Sequence, residues 1–311
     1  MKGIRKIWGV LVLAGLVVLP VAAQADMFVE GFIGGVTGSG DSGSFNNGGA
    51  FAPTVQFIGP GHFQFVPPGT PGSFSLGPMW SARFRGSFNS GVEPAVIGGL
   101  KLGTWFTKEG FLGYSGYPDW CKYLGFYLDF SYSKLNYTHS NSYTAISLLN
   151  PFVTSNASAP TTFSSQGMAA TLAFMFAGRY GLLPDSEVPF GRLQPYVAVG
   201  PAVLFRSQTP DITIQTFSLT GIGGLGTITQ PTPIAWKNGS YSPTVVALGV
   251  DAGVRYMMLK NVSIDLFFEY RYAQTTFNFS FNDPFTRTGQ SLKISSPINL
   301  FSGQLGVAYH F

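Results

Sequence analysis

The sequence predicts an all-β protein, an eight-stranded antiparallel transmembrane up-and-down β-barrel with long extracellular loops. Of its 311 residues, 45% are hydrophobic and only 10% are charged, whereas ordinary soluble domains carry roughly 25% charged residues. The 40 glycines and 21 prolines disfavour a helical bundle. After residue 25, no apolar run reaches the roughly 18 residues that a transmembrane helix needs. High apolar content without such runs indicates short alternating strands.

Residues 1–25 have the three parts of a secretory signal peptide. A basic start is followed by an apolar stretch at 7–19, and a small-x-small cleavage site ends at Ala25. Cleavage removes three positive charges and no negative charge, so the formal net charge falls from +4 to +1. This near-neutral balance gives no basis for a nucleic-acid partner. Residues 26–311 are therefore expected to form one outer-membrane β-barrel domain.

The first three predicted strands come before residue 138. Met27–Gly38 follows the cleavage site, and Ala95–Phe106 places Lys101 on the face opposite its leucines. Tyr123–Tyr137 alternates most clearly, with apolar residues at even positions and mostly small or polar residues at odd ones. This period of two is the pattern of a strand whose two faces meet different surroundings.

Five more strands complete the predicted barrel. Gly167–Tyr180 and Leu193–Arg206 alternate large apolar residues with alanine and glycine. Thr244–Met258 and Val262–Phe279 form a hairpin across a three-residue turn, and Asn299–Phe311 ends the sequence with an aromatic and apolar face. In a soluble protein that face would leave a sticky sheet edge. In a barrel, the last strand pairs with the first and turns its apolar face to lipid.

The connections between these strands alternate in length. The first, third, fifth and seventh are long and the others short, as in barrels with extracellular loops and periplasmic turns. Within the first, Thr54–Pro67 has the pattern of a hairpin, and a ten-stranded barrel is the alternative if it joins the sheet. Aromatic residues on the short-turn side predict an interfacial girdle. They are Trp105, Phe106, Tyr123, Tyr180, Tyr196, Tyr256, Tyr309 and Phe311.

Three stretches resemble the OmpA-like family of small, eight-stranded bacterial outer-membrane β-barrel proteins. They are PYVAVGPAVLF (195–205), ALGVDAGVRYMMLKNVSIDLFFEYRY (247–272) and LGVAYHF (305–311). The resemblance implies an architecture and a Gram-negative host, not an activity. It also implies that Phe311, with Tyr309 on the same face, belongs to the signal read by the outer-membrane assembly machinery.

The charged residues of the predicted strands lie almost entirely on the inward face. They are Glu30, Lys101, Asp129, Arg179, Arg206, Asp251, Arg255, Asp265, Glu269 and Arg271. Lys134 has outward parity, but near the outer end of its strand its head group can reach water. Eight strands enclose a space that side chains fill, so the five acids and five bases predict a neutral, salt-bridged plug. An ion-conducting lining is the alternative.

The predicted function is that of a non-enzymatic structural or surface-interaction protein. No phosphate loop, Cys/His metal spacing or GxSxG elbow is present, so no cofactor is expected. The long loops carry apolar residues such as Phe57 and Phe74, which either bind a partner or pack into a cap. The expected partners are the lipid bilayer, the assembly machinery, and lipopolysaccharide or a cell-surface ligand. Alternatives are a narrow channel for small or apolar solutes and a lipid-modifying hydrolase at the outer rim using His139.

Overall fold

A computed structural model describes most of the chain after the predicted signal peptide, which lies outside the described residues. The described ranges are 26–77, 80–106, 118–149, 154–221, 226–237, 242–282 and 289–311. In them, the chain is almost all strand, with one short 3₁₀-helix at Asp119–Tyr123 that contains the buried free thiol of Cys121. No helix within these ranges is long and apolar enough to cross a membrane.

The described residues form fifteen strands. In chain order they are β1 (Asp26–Phe51), β2 (Thr54–Gly59), β3 (His62–Phe65), β4 (Ser73–Ser75), β5 (Trp80–Trp105), β6 (Leu124–Lys134), β7 (Tyr137–Leu149), β8 (Thr154–Arg179), β9 (Leu193–Ile214), β10 (Phe217–Thr220), β11 (Thr227–Gln230), β12 (Ile234–Lys237), β13 (Thr244–Leu259), β14 (Val262–Asn282) and β15 (Gly289–His310). They make one large antiparallel sheet and one small sheet.

The large sheet closes on itself as a ring of eight strands. The ring runs β1, β5, β6, β8, β9, β13, β14 and β15, and β15 pairs again with β1 from Phe28↔His310 to Ser39↔Asn299. The sequence prediction of an eight-stranded antiparallel barrel is therefore confirmed. On the short-turn side, the predicted strand ends lie within one residue of the observed ones.

On the other side, the strands run far beyond their predicted ends. β1 pairs with β5 without leaving the sheet, from Asp26↔Trp105 to Phe51↔Trp80, so much of the first long connection is strand. β7 continues the path of β6 between β5 and β8 after a break at Leu135, and β12 lies on the upper part of β9. We call this region the upper barrel. Its polar outer face lacks the apolar alternation that marks lipid-facing strands.

The small sheet covers the end of the upper barrel. Its order is β10, β11, β3, β2 and β4, and β11 pairs with β3 in parallel. The hairpin predicted at Thr54–Pro67 belongs to this sheet, so the ten-stranded alternative is wrong. Gly226, at φ +89°, approaches Gly61 so closely that a Cβ would lie 2.4 Å from the Gly61 carbonyl oxygen. Only glycine fits there. We call the small sheet the cap.

The interior is mostly apolar in the upper barrel and mostly charged below it. The inner face of the cap buries Val55, Phe65 and Leu219 against the same apolar core as the upper barrel. Within that core, the rings of Phe88 and Phe163 stack with their centroids 3.9 Å apart. The loops therefore fold back on the barrel, as one of the two predicted alternatives required.

The outer face of the lower barrel is an apolar band bounded by aromatic residues. On β15, the exposed rings of Phe301 and Tyr309 mark its two edges, and the nine residues from one to the other match the roughly 9–11 residues of a transmembrane strand. Lys134 is exposed at the upper end of β6. Trp105 and Tyr196 were wrongly assigned to the aromatic girdle, because both are buried inside the barrel.

A compact turn joins β8 to β9 on the short-turn side. The Asp185 carboxylate accepts hydrogen bonds from the backbone N–H groups of Val188, at 2.7 Å, and Glu187, at 2.9 Å, and it also binds Arg192. The hydrogen bond from the Val188 N–H has the largest effect in lowering the pKa of Asp185 below its usual value, followed by the hydrogen bond from Arg192. Its stabilising contribution is thus present at neutral pH and is lost as the pH falls through the lowered value.

Candidate functional site

All ten predicted inward-facing charges lie inside the barrel, and none is more than 7% exposed. Eight of them form one group in the lower barrel, which we call the lumen cluster. Its members are Glu30, Lys101, Asp129, Asp251, Arg255, Asp265, Glu269 and Arg271. Successive side chains of a strand point to opposite faces of the sheet, so the position of each residue in this alternation is enough to place its side chain in the interior.

The first part of the lumen cluster is centred on Arg255. Its Nε lies 2.9 Å from Asp265 Oδ1, and its Nη2 lies 2.6 Å from Asp265 Oδ2. The same Nη2 donates to Glu30 Oε2 at 3.1 Å. Its guanidinium also covers the ring of Phe28, 4.3 Å from the centroid. One cation is thus shared between two carboxylates from β1 and β14.

The second part joins Lys101 to Asp251 across the barrel. Lys101 Nζ lies 3.5 Å from Asp251 Oδ2, which also accepts a 2.5 Å hydrogen bond from the Tyr127 hydroxyl. The ammonium group sits over the ring of Phe267, 3.2 Å from its centroid. Such a cation–π contact stabilises an ammonium group that has lost its water.

The third part is centred on Arg271, which is also shared between two carboxylates. Its Nη2 contacts Glu269 Oε1 closely and lies 3.5 Å from Asp129 Oδ1. Glu269 Oε2 accepts further hydrogen bonds from Gln304 at 2.7 Å and Ser302 at 3.3 Å. Glu269 is therefore well solvated by protein groups, whereas Asp129 is not.

The other two predicted lumen bases lie outside the lumen cluster. Arg179, at the short-turn end, donates to Asp26 Oδ2 at 2.8 Å and covers the ring of Trp105. Arg206 lies higher on β9 and donates to the Tyr137 hydroxyl. The ten charges therefore do not balance within the lumen cluster, because two of the five bases lie outside it and have other partners. Asp26 was missed, although its place at the start of the first strand put it near the barrel end.

A serine, a histidine and an aspartate form a hydrogen-bonded chain at the same end. Ser263 Oγ lies 3.0 Å from His310 Nε2, and His310 Nδ1 lies 3.2 Å from Asp26 Oδ1. The order is that of a nucleophile, a base and an orienting acid. However, Ser263 has no exposed surface, so no substrate carbonyl can reach it. The chain ties β14, β15 and β1 together.

The other predicted site residues have different placements. Tyr309 and Phe311 are exposed on the outer surface at the short-turn end, with ring centroids 5.1 Å apart. The side chain of His139 lies outside the part of the chain that the structure describes. The rim hydrolase therefore stays an untested hypothesis. Within the described ranges, no group of three or more His, Cys, Asp or Glu side chains could hold a metal ion.

The cap carries an exposed patch that is mainly aromatic. Phe57, Ile58 and Phe74 are each about half exposed, and Phe63 packs edge-on between the two outer phenylalanine rings, with centroids 5.6 and 6.0 Å away. We call these four residues the cap patch. Phe57, Phe63 and Phe74 lie on the same face of the cap as the buried Val55, and Phe63 packs against the apolar core, so the patch is the exposed continuation of that core.

A closed ring of eight antiparallel strands, with an apolar outside and a buried, charged inside, defines the class. The protein is a transmembrane β-barrel, because such a ring leaves no backbone hydrogen-bonding group unpaired in lipid.

Several solved structures of outer-membrane proteins are similar over nearly the whole chain. OprG from Pseudomonas aeruginosa is 11% identical, with 94% of this chain and 98% of its own covered and a TM-score of 0.33. The outer membrane protease OmpT from Escherichia coli is 10% identical, with 93% and 98% covered and a TM-score of 0.31. Neisserial surface protein A is 12% identical, with 92% and 97% covered and a TM-score of 0.27. No protein-family model and no curated protein matches the chain.

Proposed function

We propose that the protein is a non-enzymatic outer-membrane barrel with a sealed lumen, acting as a structural or surface-interaction protein through its capped end. The cap carries this proposal, since it packs on the apolar core of the upper barrel and leaves the cap patch exposed. In this proposal, the long connections are extracellular and both ends of the described chain are periplasmic. The partners are the lipid bilayer, the assembly machinery, and lipopolysaccharide or a cell-surface ligand.

Two barriers support a sealed lumen. The lower one is the lumen cluster, whose side chains reach across the barrel to partners on distant strands, such as Lys101 on β5 and Asp251 on β13. The upper one is the apolar core below the cap, which includes Phe84 and Trp236 in edge-on contact, 5.6 Å between centroids. An ion on this path would meet paired charges and then a mostly apolar region, whose few buried polar groups, such as Thr144 and Thr161, are hydrogen-bonded to each other and cannot replace its hydration shell.

We expect the purified protein to give no defined, reproducible conductance in planar lipid bilayers. The double variant Phe84→Gly, Trp236→Gly opens the apolar core, and we expect it to show brief current leaks more often than the unmodified protein. Tyr143→Gly, on the outer face of the upper barrel, is the matched control. A stable unitary conductance from the unmodified protein would overturn the sealed lumen and favour the narrow channel.

The cap patch is the proposed contact surface. It offers aromatic rings without charged side chains among its members, so it suits a ligand with an apolar or sugar face. Exposed apolar groups clustered in this way are typical of interaction sites. The smooth outer face of the lower barrel is also apolar, but it is occupied by lipid.

We expect the double variant Phe57→Ser, Ile58→Ser to weaken adhesion of barrel-bearing cells or liposomes to host cells and to lipopolysaccharide-coated surfaces. The loss is about tenfold if the pair contributes about 1.4 kcal/mol. Trp120→Ser is the control, because Trp120 is equally exposed but lies at the opposite end. Equal adhesion by all three proteins, with intact folding, would remove the cap patch from the proposal.

A further inference from the structure

The lumen cluster carries more negative than positive charge. It contains five carboxylates but only three cations, an excess of two negative charges if every group is ionised. Arg255 and Arg271 are each shared by two carboxylates, while Lys101 pairs with Asp251. The excess is therefore one charge in each arginine-centred part.

In the Arg255 part, the two carboxylates are unequally satisfied. Asp265 makes three hydrogen bonds with the guanidinium, at 2.6 to 3.0 Å. Glu30 receives a single one at 3.1 Å, and its Oε1 is buried without a hydrogen-bond partner in the described residues. Arg255 therefore neutralises Asp265 in preference to Glu30.

The Arg271 part repeats the inequality. Glu269 has the close guanidinium contact and the donors Gln304 and Ser302. Asp129 is fully buried, and neither of its oxygens accepts a hydrogen bond from any described residue. The nearest Arg271 nitrogen is 3.5 Å from it. Asp129 is thus the more weakly compensated carboxylate of the two.

Lys101 does not cancel the excess. It lies opposite both Glu30 and Asp129 in the strand register, but its ammonium group is turned to Asp251 and to the ring of Phe267. A buried, uncompensated carboxylate costs so much free energy that such groups usually take up a proton instead. Within the described ranges no cluster could hold a metal ion in its place.

We propose that Glu30 and Asp129 each hold a proton at neutral pH, so that the lumen cluster is a buried two-proton site. Each protonated carboxyl group gains an O–H donor, which an adjacent buried acceptor or water can use, and the cluster becomes neutral. The inference concerns the lumen alone and does not depend on what the cap binds.

The groups that face each proton set its response to pH. Lys101, Arg255, Asp265 and Tyr196 surround Glu30. Around Asp129, the facing groups are Lys101, Tyr127, Asp251, Glu269 and Arg271. Loss of both protons would place two negative charges beside existing carboxylates. The stability that the protons provide is therefore present at neutral and lower pH and is lost as the pH rises.

Infrared spectroscopy of the folded protein in lipid vesicles tests the proposal directly. At neutral pH, we expect a carboxylic-acid C=O band that shifts in D2O, reduced by about half in Glu30→Gln and in Asp129→Asn and absent in the double variant. Glu93→Gln, which removes an exposed acid, should leave the band unchanged. The absence of the band in the unmodified protein, or its survival in the double variant, overturns the proposal.

Thermal unfolding separates protonation from a merely structural role. We expect Glu30→Gln and Asp129→Asn to keep or raise the Tm at neutral pH and to flatten its fall at high pH. Asp265→Asn and Glu269→Gln, the matched partners that should be ionised, are expected to lower it. Equal losses from all four variants would contradict the proposal. A Tm that depends on Na⁺ or K⁺ at constant ionic strength, without a carboxylic-acid band, would assign the neutralising charge to a bound cation and overturn it.

Discussion

Replacement of Arg255 by methionine is expected to destabilise the folded barrel by about 3–5 kcal/mol, the cost of breaking a buried ion pair by removing one partner. Arg255 is the shared partner of Asp265 and Glu30, and all three side chains are buried. Methionine has a similar length and no charge, so it fills the space but leaves Asp265 uncompensated in the interior.

The measurement is the midpoint of urea unfolding in lipid vesicles, followed by the mobility shift of the folded form on SDS gels. Arg192→Met is the control, because Arg192 binds carboxylates in the partly exposed turn between β8 and β9. Exposed pairs contribute about 0–1 kcal/mol. Equal midpoints for the two variants would show that the lumen cluster does not hold the barrel together.

Introduction of arginine at Leu305 is expected to destabilise the inserted protein by about 2–4 kcal/mol, the cost of an arginine at the bilayer midplane. Leu305 is about half exposed on the outer face, and it lies midway along β15 between the aromatic edges at Phe301 and Tyr309. Its guanidinium would therefore be as far from either interface as this strand allows.

Tyr143→Arg gives the matched comparison. Tyr143 is 71% exposed on β7 in the upper barrel, where the proposal places water and not lipid. We expect a change in unfolding free energy close to zero there. A penalty at Tyr143 equal to that at Leu305 would mean that the upper barrel also lies in the membrane, and a negligible penalty at both would remove the membrane assignment.

The lower barrel could be predicted from sequence because lipid imposes a rule on it. Every outward position in the band must be apolar, so a strand such as Leu124–Lys134 shows its period of two directly. The upper barrel obeys no such rule, since water accepts polar residues such as Arg83, Ser87 and Ser158 on its outer face. There the only sequence signal is the set of buried residues such as Phe84 and Phe88, which a glycine- and serine-rich stretch does not distinguish from a loop.

For the lumen, parity predicted which charges point inward but not which of them meet. Lys101 lies opposite Glu30 and Asp129 in the register, yet it reaches across the barrel to Asp251. Such contacts depend on which strands lie opposite each other in the closed barrel and on how far each side chain reaches. The alternation within a single strand predicts neither. Tyr196 shows the reverse case. The alternation of its strand predicts an inward side chain, and this alternation, not its position near the strand end, decides where it lies.

The parallel pairing of Thr227–Thr229 with His62–Gln64 in the cap has a consequence for biogenesis. These segments come from the first and fifth connections, so they can meet only when both have reached the same side of the membrane. Contacts between residues so distant in sequence form slowly and late. We therefore expect the cap to mature after membrane insertion, so that an antibody specific for this pairing would recognise finished molecules and not intermediates.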